Sequence, residues 1–76
     1  MAAVVTLAAD KPYEARTAEI LDTLEAETGL PSTPVHGGRR YVLEDAADWD
    51  EAVAILREAL SRVAPDWADH IGPVPP

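Results

Sequence analysis

The placement of seven prolines and four glycines restricts this chain more than any other feature. Proline locks φ and donates no backbone hydrogen bond, while glycine alone reaches positive φ without strain. Both therefore punctuate regular structure rather than extend it. Pro12, Gly29-Leu30-Pro31, Pro34, Gly37-Gly38, Pro65 and the closing Gly72-Pro73-Val74-Pro75-Pro76 divide the chain into short segments. Each segment then has to be read by its own periodicity.

Ala3–Ala9 reads as a strand. Val4, Val5, Thr6 and Leu7 favour a pleated backbone, and apolar residues on both faces suit a central position. Asp10-Lys11-Pro12 opens a helix, with Asp10 or Lys11 as the cap and Pro12 in the first turn. On that helix Tyr13, Thr17, Ile20, Leu21, Leu24 and Thr28 share an arc, and Glu14, Glu19, Asp22 and Glu25 lie outside it. Gly29 stops the helix, and Leu30 is placed to fold back on Leu24 as in a Schellman ending.

Ser32–His36 is a short strand confined to an edge by Pro34. Gly37-Gly38 is a two-residue hairpin signal, and Arg39–Glu44 is the return strand. Tyr41 and Leu43 share one face of it; Arg40, Val42 and Glu44 share the other. Asp48 caps a second helix, with Glu51 completing a capping-box pair. Trp49, Ala52, Val53, Leu56, Ala59, Leu60 and Val63 form its apolar face, and Pro65 ends it. Residues 65–76 read either as a Pro-rich tail or, through Ile71 and Val74, as a short last strand confined to an edge by Pro73.

The order β-α-β-β-α(-β) predicts one α+β domain spanning 1–76. Its plan is a ferredoxin-like two-layer sandwich with both helices on one face of an antiparallel sheet. The strands that contain proline are the second and fourth, which are the edges of that plan. Either Val5, Leu7 and Tyr41 or Val4, Thr6 and Val42 face away from the helices, and the alternation alone leaves both choices open. Asp10-Lys11-Pro12 after a strand resembles the Asp-Arg-Pro-Gly segment of ACT-type regulatory modules, which share this plan. The likeness covers three residues and the element order. Tyr13 replaces the glycine that brings backbone close to the ligand, so the resemblance implies no amino-acid-binding function here.

Composition removes whole classes of chemistry. There is no cysteine, so disulfides, thiolate catalysis and Cys-based metal centres are excluded. Leu, Ile and Val number seventeen, enough for one modest core, and a domain this small often leans on a partner or on self-association. Fourteen acidic residues against six basic ones give a net charge of −8, which repels nucleic acid. The N-terminus has neither a basic n-region nor a long apolar run, so no signal peptide, no membrane association and a cytoplasmic location are expected.

No G-x-S-x-G elbow, Gly-rich phosphate loop or H-E-x-x-H motif is present, which points away from an enzyme. Asp66-Trp67-Ala68-Asp69-His70 gathers two carboxylates and an imidazole, too few to converge as a metal site, so neither a metal nor a cofactor is expected. His36-Gly37-Gly38-Arg39-Arg40 is the most unusual segment, because guanidinium groups on a tight turn can grip a carboxylate. Its plainer role is a turn whose arginines offset nearby acidic helices. Trp67, beyond Pro65, either covers the open end of the core or anchors a partner.

The expectation is a small regulatory or adaptor module, antitoxin-like in style, that binds a protein partner and can form a homodimer. Its expected contact set is His36, Arg39, Arg40, Tyr41 and Trp67, and reversing both arginines is expected to abolish binding while sparing the fold. The alternatives are a small-molecule-binding or enzymatic homo-oligomer with an inter-subunit site, and an acidic nucleic-acid mimic built on Glu14, Asp22, Glu25 and the run from Glu44 to Glu51.

Overall fold

The computed structural model describes residues 2–75. Four strands and two helices alternate as β1 (Ala3–Ala9), α1 (Ala15–Thr28), β2 (Ser32–Val35), β3 (Gly38–Leu43), α2 (Trp49–Val63) and β4 (Ile71–Pro73), with a single 3-10 turn at Ala68–His70 before β4. The sheet order is β2-β3-β1-β4 and every pairing is antiparallel. The two Pro-bearing strands are the edges, where a missing amide donor costs no ladder bond. The arrangement is α+β and consistent with a ferredoxin-like sandwich. The C-terminal segment is a strand: Ile71 pairs with Ala9, and the Val74 amide donates to the Thr6 carbonyl at 2.8 Å.

Register decides which sheet face the helices cover. Val5 lies opposite Tyr41 and Ala3 opposite Leu43, so Val5, Leu7, Tyr41 and Leu43 fall in phase and are buried together. Ile20, Leu21 and Leu24 of α1 and Val53, Leu56 and Leu60 of α2 pack onto them. Ala52 and Ala59, both buried, keep α2 close to its neighbours. Val4, Thr6 and Val42 therefore face away from the helices.

Three local details differ from expectation. α1 begins at Ala15, with Glu14 at its N-cap. Pro12 instead fills the second position of a turn in which the Glu14 amide donates to the Lys11 carbonyl at 3.2 Å, a position that suits its fixed φ equally well. Tyr13 is consequently left outside the helix and 91% exposed.

At the other end of α1, Gly29 adopts φ +69° and its amide donates to the Glu25 carbonyl at 2.8 Å. The Leu30 amide goes to the Thr28 hydroxyl, so the ending is the simpler left-handed cap rather than a Schellman motif.

The hairpin turn is His36-Gly37, one residue earlier than expected, since Val35 pairs with Gly38. Gly37 supplies the positive φ (+78°). Gly38 is required for another reason: a Cβ there would lie 1.8 Å from the Leu7 carbonyl oxygen.

α2 follows its capping chemistry. The Asp48 side chain accepts from the Glu51 amide at 2.8 Å, and the Glu51 carboxylate accepts from the Ala47 amide at 3.1 Å.

Candidate functional site

The hairpin that carries the arginine pair is split by strand geometry. Side chains alternate across β3, so Arg39 follows Tyr41 to the helix side and Arg40 goes to the other. The Arg39 guanidinium reaches Glu25 at 2.6 Å, Asp22 at 2.5 Å and the Ser32 hydroxyl at 3.2 Å. It binds α1 to the sheet edge and is largely buried. The offsetting role is thus the one Arg39 performs, and reversing its charge would break this network rather than spare the fold.

Tyr41 has no exposed surface, and its hydroxyl donates to the Leu21 carbonyl inside α1 at 3.0 Å. It contributes packing and cannot touch a partner. Desolvation by burial pushes its pKa up to about 12; the Arg39 cation opposes this, and Glu25 and Asp22 reinforce it.

His36 is exposed on the turn, and Trp67 is half-buried at the same end of the sheet, across the Lys11–Glu14 turn. The Trp67 indole N–H donates to the Thr17 hydroxyl at 3.2 Å, and that hydroxyl donates to the Lys11 carbonyl at 2.9 Å. This relay satisfies the hydroxyl of the buried Thr17. The Lys11 ammonium sits 5.5 Å from the indole centroid, and the His70 ring lies against the indole at 4.7 Å, tilted by 52°. Trp67 therefore covers the end of the core, between α1 and the final strand.

Two contacts at this end link residues far apart in sequence, beyond the reach of local pattern. His70 Nδ1 lies 3.1 Å from the Asp10 carboxylate, and the Asp10 amide donates to the His70 carbonyl at 3.0 Å. Arg16 bridges to Asp66 at 2.9 Å. Asp10 and His70 also line a concavity of about 480 Å³ with Arg57, Ser61 and Asp69. Among the described residues no hydrogen bond joins Ser61 to His70, and no group of three or more metal-ligating side chains converges.

The face of the sheet away from the helices has a different character. Val4 is 48% exposed and Val74 is 42% exposed, and Thr6 and Val42 on the same face are partly exposed. Thr33 lies across β2 from Arg40, and Thr6 lies across β1 from it. Twenty of the 76 residues are charged, yet among the described residues Arg40 is the only charge at a strand position on this face. Among the described residues Arg40 has no ion-pair partner, in contrast to Arg16, Arg39 and Arg62. A solvated sheet face ordinarily reads polar, whereas low charge with aliphatic side chains marks the centre of interfaces.

No protein-family model, curated protein or solved structure matches the chain. No helix among the described residues is long and apolar enough to cross a membrane.

Proposed function

We propose that this chain is a small non-enzymatic interaction module, regulatory or adaptor in role, that works in the cytoplasm through the open face of its sheet. The observation that carries this reading is an aliphatic and threonine face with one unpaired cation, on a chain otherwise dense in charge. The partner surface it suits is apolar and bears a carboxylate opposite Arg40. Arg40 can form a bidentate pair with such a group without breaking any ion pair of its own. Of the contact set expected from sequence, Arg40 is retained and Val4, Thr6, Val42 and Val74 join it.

The test is capture of partners by the tagged protein at physiological salt. Val4→Asp and Arg40→Glu should each lose a partner that the wild type retains, with melting curves unchanged. Glu19→Lys, on the outer face of α1, should keep it. Equal retention by all three variants would remove the open face from consideration.

A second reading draws on the concavity lined by Asp10, Arg57, Ser61 and His70, which is large enough for a small metabolite. It predicts a ligand-dependent rise in melting temperature that Arg57→Ala abolishes. Nucleic-acid mimicry has less support, because Asp22 and Glu25 are engaged by Arg39 and that face presents less free charge.

A further inference from the structure

The open face meets the description of its own partner. Arg40 and Val42 occupy alternate positions of β3, about 7 Å apart, and Glu44 follows two residues on, in the turn that leaves the strand. Val42 pairs with Val4 on β1, so the two valines form a row across the sheet with Arg40 on one side of it and Glu44 on the other. From this juxtaposition we infer that the open face binds a second copy of the same chain, related by a two-fold axis along the Val4–Val42 row. The inference rests on the open face being the working surface.

Two symmetric ways of laying the face on itself can be compared. An axis parallel to the strands sets Arg40 over Arg40 of the second copy if it runs over β3, and over Thr6 if it runs between β3 and β1 at the centre of the sheet, so in neither case does Arg40 meet a carboxylate. An axis across the strands, through the valine row, sets Val42 over Val42 and Val4 over Val4, and brings each Arg40 to the partner's Glu44. Only the second arrangement gives Arg40 an opposite charge, and the Arg40–Glu44 pair forms twice by symmetry. Packed sheets cross at about 30° rather than lying parallel, a few ångströms of offset at this distance from the axis, within reach of an arginine side chain. Neither Arg40 nor Glu44 forms an ion pair within the chain among the described residues, so pairing across the axis sacrifices no internal contact.

Area sets the strength. The 7, 4, 6 and 3 residues of β1 to β4, at the usual rise and strand spacing, give roughly 320 Å² of sheet per copy, below the size of stable specific interfaces. Weak, transient association, on the order of hundreds of micromolar, is the expectation.

The test is sedimentation velocity on the full chain across a concentration series, with charge swaps at the two positions. Arg40→Glu and Glu44→Arg should each weaken self-association about tenfold, since each loses two ion pairs and creates like-charge contacts. The double variant R40E/E44R should return to within about threefold of wild type. An equimolar mixture of the two single variants should form a mixed dimer at least about tenfold tighter than either variant alone, because opposite charges then meet at both ends of the interface. Circular dichroism of each variant verifies the fold. A wild-type chain that stays monomeric at millimolar concentration overturns the inference, as does a mixture no tighter than its components. If the wild type is monomeric yet Arg40→Glu still loses a captured partner, the interaction-module reading survives and only the self-pairing falls.

Discussion

Tyr41→Phe isolates the most buried polar group of the core. The substitution removes one hydroxyl, and with it the bond to the Leu21 carbonyl at 3.0 Å. At neutral pH the net loss is about 1 kcal/mol. The alkaline limb is more diagnostic. Tyr41 titrates near 10 when unfolded and is pushed up to about 12 by burial in the folded chain. Between those values the unfolded chain has released the phenolic proton and the folded chain still holds it. Stability is therefore fully present below pH 10 and falls by about 1.4 kcal/mol per pH unit as pH rises toward 12, roughly 2.7 kcal/mol in all. That is a large share of the ~4–11 kcal/mol expected for a domain of this size.

Every other residue is common to the two proteins, so the difference between them isolates the Tyr41 hydroxyl. Wild type should be the more stable protein at pH 8, and the order should invert just below pH 11, at about pH 10.7. Urea unfolding followed by circular dichroism at half-unit pH steps reads this directly. A difference that stays constant from pH 9 to pH 12 would show that the Tyr41 hydroxyl is not held protonated in the core, and the reasoning would fail.

Other substitutions test separate parts of the structure. Gly38→Ala drives a Cβ to 1.8 Å from the Leu7 carbonyl and should cost several kcal/mol in urea unfolding, whereas Gly72→Ala, with open space at its Cβ, should cost under about 1 kcal/mol. Arg39→Met frees Asp22 and Glu25 and should cost about 1–2 kcal/mol at low salt, shrinking as salt is added. By removing the cation that lowers it, the same change should also move the alkaline limb of Tyr41 to higher pH. Trp67→Ala uncovers the end of the core and leaves Thr17 without its indole donor, and thermal melts should show a loss of about 2–3 kcal/mol.

Much of the fold was legible because local chemistry and tertiary packing agree. Gly29 before Pro31, Asp48 with Glu51, and proline in two strands each have a single inexpensive structural use, and each is used so. The misplaced boundaries are residues with two such uses. Pro12 suits either the first helical position or the second position of a turn, and the Thr17–Lys11 bond with its tie to Trp67 holds the turn. Gly37 and Gly38 both allow a hairpin, but the second is demanded by the approach of β1, which no local window contains.

The buried sheet face was undecided because both alternations are apolar, and only the pairing of Val5 with Tyr41 resolves it. In the candidate site, the parting of Arg39 from Arg40 was readable from strand alternation alone, whereas the burial of Tyr41 beside Leu43 depends on the same pairing. The Asp10–His70 and Arg16–Asp66 contacts span sixty and fifty residues and leave no periodic trace.

Amide chemical shifts followed by heteronuclear NMR from tens of micromolar to millimolar protein test the role of the open face most directly. Concentration-dependent shifts confined to Val4, Thr6, Arg40, Val42 and Val74, with none along the outer faces of α1 and α2, are the expected result. Shifts centred on the helices, or none on the sheet in the presence of any captured partner, would contradict it.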